Sequence, residues 1–517
     1  MNKLLSRREF LKSLALLPPS IYLSKYVQGP ASPWLDDGSR KNVIIIVFDA
    51  LSAQNLSLHG YPRETMPNLA RIAQKSTVYH EHYAAGNFTT PGTASLLTGT
   101  YPWTHRALKL GGSVEEGKKR RNIFNLFDQY YRIVYSHNNF VNTHFRRFRQ
   151  DIDHLKPQKD LFVKNELAFD RLFFWENDLA SLTWERAMKK GEKGYTYSIF
   201  FSEIYQEYSQ GKVDRLARQF PRGITRIGED DYFLLEDAIN WLKSELGRIE
   251  QPFLGYFHFL PPHRPYSPRR DFVNAFKDDG VGYLINKPKH PFFSQGGEGQ
   301  PISLDFQARQ RQIYDEFVLY ADSELGRLYD FLEESGLSRN TWLVFTSDHG
   351  EMFERGIFGH RTPVLYQPVI RIPLLIREPG QQERRDVYAA TSALDVVPTL
   401  LNVTGQEIPD WIEGTVMPPY SEAIPDRSIF AVEAKFSPDR APLSPATITL
   451  VKGRHKLTYF LGYEELGEAK TFSELFDLEQ DPEELNDLYE TEPEVAFQLQ
   501  AELLERLREA DQPYATK

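Results

Sequence analysis

The sequence predicts an α/β protein built on a doubly wound, mostly parallel sheet, with a smaller C-terminal α+β subdomain. Residues Asn42–Phe48 read NVIIIVF, a continuous β-branched run typical of a buried parallel strand. Similar apolar runs recur at Phe253–Leu260, Thr341–Phe345 and Ile372–Ile376. Helical patterns lie between these runs, at Met66–Gln74, Ala94–Leu97, Asp231–Arg248 and Ala308–Ser335. Strands that alternate with helices indicate a doubly wound sheet.

The C-terminal part has a different pattern. Ala446–Leu461 predicts antiparallel strands around a turn at Lys452 and Gly453, followed by a helix over Pro493–Ala510 whose proline suits a first turn. We therefore expect a large domain over residues 40–405 and a smaller one over 427–517. The aromatic-rich stretch 109–228 predicts an insertion over the active edge of the sheet, where specificity would be determined.

Composition excludes several classes of protein. The 517 residues are 41% hydrophobic and 26% charged, which is ordinary for a folded protein and unlike a disordered, fibrous or polytopic membrane chain. The formal net charge of −10 argues against a broad nucleic-acid-binding surface. The chain has no cysteine, which excludes disulfides, thiolate metal ligands and a cysteine nucleophile.

Residues 1–30 are predicted to be an export signal. The string SRREFLK at 6–12 precedes a short apolar run over Leu14–Leu23 that Pro18 and Pro19 interrupt. This order resembles a twin-arginine signal, which implies the twin-arginine export machinery as a partner and the periplasm or cell exterior as the destination. No Ala-x-Ala site follows, so cleavage and retention as an N-terminal membrane tether both stay open.

Three predicted strands end at polar residues. The first ends at Asp49, the second continues into His263, and the third continues into Ser347-Asp348-His349-Gly350. Ligands of open parallel sheets bind beyond the carboxyl ends of the strands, so these side chains should converge. Two carboxylates and an imidazole suit one divalent cation. The alternative for each aspartate alone is a turn or helix-cap residue.

A short capped helix is predicted within Asn87–Gly99 (NFTTPGTASLLTG). A hydroxyl at its start would face free N–H groups and the positive end of the helix dipole, which favour an anionic tetrahedral group. The alternative is that Thr89 and Thr90 only cap the helix.

The succession of motifs resembles the sulfatase family of the alkaline-phosphatase superfamily. The motifs are Asp49, LHGYPRETMPNL at 58–69, Thr89-x-Pro91, SDHGE at 347–351, Pro262-His263-x-Pro265-Tyr266, Gly359-His360, RIPLLI at 371–376 and ELFDL at 474–478. The resemblance implies Asp49, Asp348, His349 and Thr89 as metal ligands, with Thr89 also the nucleophile. It implies that His263 and His360 contact the transferred group and the leaving oxygen. His137, Asn138 and Arg361 are the candidate substrate-binding residues.

Several positions depart from the family pattern. Formylglycine is made from Cys or Ser, and Thr93 replaces the arginine that supports it, so no formylglycine is expected at Thr89. Ala50 replaces a second metal-binding aspartate, and Asp322 lacks a histidine four residues later, so we expect one divalent metal ion. Mn²⁺, Mg²⁺, Ca²⁺ and Zn²⁺ all remain open.

The predicted function is that of an exported, metal-dependent hydrolase or transferase of phosphate or sulfate esters. Phosphoryl transfer is favoured because relatives with an unmodified threonine transfer phosphoryl groups. Two alternatives stay open: an arylsulfatase-like sulfuric ester hydrolase that uses Thr89 directly, and a non-catalytic binding protein with the sulfatase fold. The expected partner is a small-molecule, glycan or lipid ester and not a nucleic acid.

Overall fold

A mixed eight-stranded sheet lies at the centre of the computed structural model. The structure describes residues 40–163, 207–208, 210–227, 231–277, 279–281, 286–289, 302–360 and 363–515. The strands of the large sheet are β1 (Asn42–Asp49), β2 (Thr77–Tyr79), β3 (Tyr131–Ser136), β4 (His154–Leu155), β5 (Phe253–Pro262), β6 (Thr341–Ser347), β7 (Leu374–Arg377) and β8 (Arg385–Val387). Their order across the sheet is β8-β2-β7-β6-β1-β5-β3-β4.

The five neighbouring strands from β6 to β4 run parallel, whereas β7 runs antiparallel to both β6 and β2. Every residue of β1, β5 and β6 is buried, which explains their continuous apolar sequences. The prediction of a doubly wound, mostly parallel sheet is therefore confirmed.

Helices pack against this sheet. The longer ones are α1 (Pro67–Ala73), α2 (Thr89–Thr98), α3 (Asn139–Arg147), α4 (Leu235–Leu246), α5 (Leu304–Glu334), α6 (Val396–Val403) and α7 (Pro493–Asp511). Four-residue helices lie at Pro102–His105, Ile123–Leu126 and Gln367–Ile370. Among the described residues, no helix combines the length and the apolar character that a bilayer span requires.

Some predicted boundaries differ from those observed. The helix expected from Asp231 begins at Leu235, because Asp231–Tyr232 instead pairs with Arg226–Ile227 as a short antiparallel ladder. The helix expected over Ala94–Leu97 is the middle of the longer α2. The stretch predicted as an insertion, 109–228, contains β3 and β4 of the large sheet, and residues 164–206 of it lie outside the described residues.

The C-terminal part forms a second, four-stranded antiparallel sheet. Its strands are β9 (Ile429–Glu433), β10 (Ala446–Lys452), β11 (His455–Leu461) and β12 (Thr471–Asp477), in that order. Trp103, Leu108 and Leu394 share one apolar core with residues of this sheet and of α7. The second sheet therefore belongs to the same compact unit, which spans residues 38–517.

Candidate active site

The carboxyl ends of β1 and β6 bring Asp49, Asp348 and His349 together, and all three side chains are fully buried. The two strands are neighbours, with Phe48 opposite Ser347, so the next residue of each carries a carboxylate at the same edge. Ser347 fixes this junction: its hydroxyl donates to the Phe48 carbonyl (2.6 Å) and accepts from the Leu51 N–H (2.9 Å).

The backbone turns sharply directly after Asp49. Ala50 has a φ of 61°, a left-handed conformation that is uncommon for a residue other than glycine. The Tyr314 hydroxyl donates to the Ala50 carbonyl (2.8 Å), and the Ala50 N–H donates to Asp348 Oδ1 (3.3 Å). These contacts hold a strained residue of the kind that clusters at functional sites.

His258 is a site residue that the sequence analysis missed. It lies on β5 opposite Val47, and its Nε2 atom is 3.5 Å from Asp49 Oδ2 and 3.7 Å from Asp348 Oδ2. Its Nδ1 atom is 3.2 Å from the Tyr256 hydroxyl. An Nδ1–H donated to that hydroxyl leaves the Nε2 lone pair facing both carboxylates, the arrangement of a metal-ligating imidazole.

His349 is oriented in the same way. Its Nδ1 atom lies 2.9 Å from the Gly350 carbonyl, which can only accept, so Nδ1 carries the proton. The Nε2 atom then has its lone pair free, and it lies 3.5 Å from Asp49 Oδ1 and 3.6 Å from Asp348 Oδ2. When the Tyr256 hydroxyl accepts from His258 Nδ1, both histidines direct an unprotonated nitrogen at the same pair of carboxylates.

Thr89 is the first residue of α2, and its hydroxyl points at this group. Thr89 Oγ1 is 3.4 Å from His349 Nε2, and Phe88, not a threonine, occupies the N-cap position with no side-chain cap hydrogen bond. The helix approaches closely because Gly92 has no side chain: a Cβ there would lie 2.3 Å from the Asp348 carbonyl oxygen. The capping alternative for Thr89 is thus not what the structure contains.

The two candidate residues after β3 point in different directions. Asn138 donates from Nδ2 to Asp49 Oδ2 (2.5 Å) and lies 3.4 Å from Thr89 Oγ1. The His137 ring instead stacks on Phe233, with ring centroids 4.0 Å apart. Neither ring nitrogen of His137 has a hydrogen-bond partner among the described residues, and burial lowers the pKa of His137 to about 3.

His263 and His360 lie beside the buried group. The His360 ring is 4.3 Å from the His349 ring and 5.1 Å from the His263 ring, centroid to centroid. His360 Nδ1 contacts Glu351 Oε1 at 3.0 Å, and His263 Nδ1 contacts the Arg264 carbonyl at 2.7 Å. Within the described residues no hydrogen bond is made to the other ring nitrogen, Nε2, of either histidine, so both Nε2 atoms can contact a ligand. Arg361 lies outside the described residues.

The charged groups of the site change one another's pKa values. Burial acts to raise the pKa of Asp49, but the neighbouring His263, His258 and His349 outweigh that effect whenever they are protonated, and they lower this pKa well below its usual range. Burial and the neighbouring Asp49 charge raise the pKa of Asp348, and burial lowers the pKa of His349. Of the two facing carboxylates, Asp49 is therefore the one that ionises first.

The residues present fit a divalent cation. Asp49, His258 and Asp348 each offer a ligand atom, and these atoms lie within 4.8 Å of one another. Asp49 Oδ1, Asp348 Oδ2 and His258 Nε2 are buried and have no hydrogen-bond partner in the described part of the chain. Buried charges of this kind are paired or coordinate metals, and a mixed carboxylate and imidazole set suits several divalent ions.

Comparison with known proteins establishes the family. The sulfatase family model matches residues 41–406, and the model of the N-sulphoglucosamine sulphohydrolase C-terminal region matches residues 353–512. The chain therefore belongs to the sulfatase family, as its motifs predicted, and is a sulfatase-like ester hydrolase.

Individual relatives are distant. Choline-sulfatase of Rhizobium meliloti is 24% identical over 478 residues, which cover 87% of this chain and 83% of that protein. The multifunctional alkaline phosphatase superfamily protein PehA of Trinickia caryophylli is 25% identical over 415 residues, 74% of this chain and 77% of that protein. The crystal structure of phosphonate monoester hydrolase of Agrobacterium radiobacter matches with a TM-score of 0.65 at 20% identity, covering 91% of this chain and 95% of that one. The last likeness shows a shared fold.

Proposed function

We propose that this chain is an exported, metal-dependent hydrolase in which the Thr89 hydroxyl is the nucleophile and phosphoryl esters are preferred over sulfuryl esters. The observation that carries the proposal is the position of Thr89 Oγ1, 3.4 Å from His349 Nε2 and from Asn138 Nδ2, next to two buried carboxylates. A threonine that served only the helix would direct its hydroxyl at the backbone N–H groups of α2.

The chain's own residues supply most of the steps. The Thr89 hydroxyl releases its proton to solvent as Oγ1 attacks the phosphorus, the bond from phosphorus to the leaving oxygen breaks, and the protonated ring of His263 or His360 gives that oxygen a proton. Water then hydrolyses the phosphothreonine and restores the Thr89 hydroxyl. A divalent cation held by Asp49, His258, Asp348 and His349 would lower the pKa of the hydroxyl and offset the charge of the ester.

Two further features suit an anionic substrate. The amide of Asn138 lies 3.4 Å from Thr89 Oγ1, and Thr89 is the first residue of α2, at the positive end of the helix dipole, so both features stabilise negative charge there. Glu351 holds the His360 ring through Nδ1 and accepts from the Tyr266 hydroxyl at 3.2 Å. The Nε2 atom of His360 is thereby fixed toward the space beside His349.

The preference for phosphoryl esters follows from the nucleophile. A threonine cannot be converted to formylglycine, so its alcohol must attack the substrate directly. The product of that attack is a covalent ester of Thr89, which water then has to cleave. The alternative is a sulfuric ester hydrolase, in keeping with the relative described as a choline-sulfatase. The relatives described as a multifunctional alkaline phosphatase superfamily protein and a phosphonate monoester hydrolase agree with turnover of phosphorus esters.

Paired assays test this proposal. We would measure hydrolysis of 4-nitrophenyl phosphate, bis-4-nitrophenyl phosphate, a 4-nitrophenyl phosphonate and 4-nitrophenyl sulfate by the wild type, Thr89→Ala and Thr89→Ser. We expect the wild type to cleave phosphorus esters fastest. Thr89→Ala should be inactive and Thr89→Ser should retain turnover. Mass spectrometry of quenched wild-type enzyme should find phosphate on the peptide that contains Thr89. Turnover of the sulfate alone would favour the alternative, and wild-type rates in Thr89→Ala would contradict the assigned nucleophile.

Export is the second part of the proposal, and it rests on the Arg7-Arg8 pair and the apolar run that follows it. We expect the full-length chain in a bacterium with an active twin-arginine pathway to fractionate with the periplasm or the membrane. The variant Arg7→Lys/Arg8→Lys should stay in the cytoplasm. Equal export of both proteins, or equal retention, would contradict this assignment.

A further inference from the structure

Tyr256 is a fully buried residue of β5, two positions before His258. Side chains two positions apart on a strand leave it on the same face, so both residues point to the same side of the sheet. The Tyr256 ring packs edge-to-face on Phe124 and Phe145, with ring centroids 6.2 Å and 5.8 Å apart. This aromatic packing holds the ring in place, and the hydroxyl lies 3.2 Å from His258 Nδ1.

The hydrogen bond between Tyr256 and His258 can have either direction, because a tyrosine hydroxyl both donates and accepts. His349 differs in this respect, since its Nδ1 atom faces the Gly350 carbonyl, which can only accept. A Tyr256 hydroxyl that accepts leaves a lone pair on His258 Nε2, whereas one that donates places the imidazole proton on Nε2. The groups around the two side chains therefore decide which nitrogen of His258 can bind a cation.

The surroundings of His258 Nε2 favour the lone pair. This atom is buried, lies 3.5 Å from Asp49 Oδ2 and 3.7 Å from Asp348 Oδ2, and has no hydrogen-bond partner in the described part of the chain. A proton on Nε2 would be a buried N–H group without a partner, which is unfavourable. A lone pair on Nε2 can instead bind a divalent cation that both carboxylates share.

Thr93 offers an acceptor for the proton of the Tyr256 hydroxyl. Burial and the Asp348 and Asp49 charges raise the pKa of Tyr256 well above its usual range, and the Thr93 hydroxyl, as a hydrogen-bonding neighbour, acts to lower it. Apart from that contact, Thr93 Oγ1 is buried and has no hydrogen-bond partner among the described residues. The Tyr256 oxygen can therefore accept from His258 Nδ1 while its own proton is bound by Thr93.

We propose that Thr93 and Tyr256 are positioning residues that fix the tautomer of His258 for metal binding. Thr93 Oγ1 accepts from the Tyr256 hydroxyl, and the Tyr256 oxygen accepts from His258 Nδ1. His258 Nε2 then keeps its lone pair toward the two carboxylates. Position 93 is where the family pattern has an arginine, and its threonine thereby gains a part in metal binding. The inference rests on the metal-binding part of the proposed function and not on its ester preference.

Metal affinity tests this assignment without any turnover. We would measure the Kd of Mn²⁺ by isothermal titration calorimetry for the wild type, Tyr256→Phe, Thr93→Val and the double variant. Loss of the outer hydrogen-bond partner of a metal-ligating histidine weakens metal binding about 10–100-fold, which we expect for Tyr256→Phe. Thr93→Val removes only the acceptor of the Tyr256 proton, so its loss should be about three- to tenfold. Adding Thr93→Val to Tyr256→Phe should cause no further loss, because that proton is then already absent.

Tyr135→Phe and Thr77→Val are the matched controls. Tyr135 lies on the neighbouring strand β3 and Thr77 on β2, and both hydroxyls are buried without a hydrogen-bond partner among the described residues. Both controls should bind Mn²⁺ with the wild-type Kd. Urea unfolding of the chelator-treated proteins separates affinity from folding, since a side chain that only packs would lower the unfolding midpoint and leave the Kd unchanged.

The tautomer of His258 can also be measured directly in the wild type. Proton–nitrogen correlation spectra of Zn²⁺-loaded protein with isotopically labelled histidine should show the His258 proton on Nδ1, and His258→Gln identifies the resonance. A proton on Nε2, the wild-type Kd in Tyr256→Phe, or an equal effect of Thr93→Val with and without Tyr256→Phe would overturn the assignment. A wild type that binds no divalent cation would overturn the metal centre of the proposed function as well. Cleavage of sulfate esters alone would contradict only the proposed ester preference.

Discussion

Helix α2 packs closely against the Asp348 backbone, and this contact makes Gly92→Ala an informative substitution. A Cβ at residue 92 would lie 2.3 Å from the Asp348 carbonyl oxygen, whereas ordinary contacts begin at 3.4 Å. The helix that carries Thr89, or the turn that carries Asp348, must therefore move by about 1 Å. A displacement of that size can lower turnover about 100-fold, which corresponds to about 2.7 kcal/mol in the activation free energy.

The assay for this prediction is kcat on the best aryl ester, together with urea unfolding. Intrinsic helix propensity alone would make alanine stabilising by up to about 1 kcal/mol, so lost turnover cannot be assigned to a weaker helix. Gly211→Ala is the matched control, because it lies in a helical segment where an added Cβ meets nothing within 4 Å. Gly92→Ala with wild-type kcat, or Gly211→Ala with the same loss, would refute the close packing of α2 against Asp348.

Three further predictions concern stability. Lys456→Met should lower the free energy of unfolding by about 3–5 kcal/mol in urea, because it leaves the buried Glu484 carboxylate, 2.5 Å from the Lys456 amine, without its partner; an unchanged midpoint would contradict this. Burial raises the pKa of Glu474 to about 7, so the folded state binds a proton that the unfolded state releases. The free energy of unfolding should therefore fall as pH rises from about 4.5 to 7 in the wild type, and this component of the pH dependence should be absent from Glu474→Gln. Dialysis against a chelator should lower the melting temperature, and Mn²⁺ should restore it, since a ligand at 100 times its Kd stabilises by about 2.7 kcal/mol; a chelator effect of equal size in Asp348→Asn would place the metal elsewhere.

The sequence alone was sufficient to predict the strands that are completely buried. The runs at Asn42–Phe48 and Thr341–Phe345 are apolar on both faces, and the polar residues that follow them end up at one edge of the sheet. Element boundaries that depend on pairing between two strands could not be predicted from the local sequence. Asp231–Tyr232 became a strand because it pairs with Arg226–Ile227, a contact that helical periodicity in the following residues does not reveal.

Site residues that directly follow the end of a strand could be predicted from the sequence, whereas a site residue inside a strand could not. His258 sits in an otherwise apolar run, where a lone histidine is expected to be a core residue, and only its register opposite Val47 brings it to Asp49. The separation of His137 from Asn138 has a similar origin. Both residues lie in the turn between β3 and α3, where Asn138 is the N-cap of α3 and faces Asp49 while the His137 ring stacks on Phe233, a difference that the local sequence does not reveal.

The most direct test of the account is the position of a bound metal. A crystal of the protein grown with Mn²⁺ and measured for anomalous scattering should show one strong peak among Asp49, His258, Asp348 and His349. Its distances to their oxygen and nitrogen atoms and to Thr89 Oγ1 should be about 2.0–2.6 Å. A peak away from these side chains would contradict the predicted metal site. A peak among them that lies beyond coordination distance of Thr89 Oγ1, with another ligand in the position predicted for Thr89, would contradict the assignment of Thr89 to this centre.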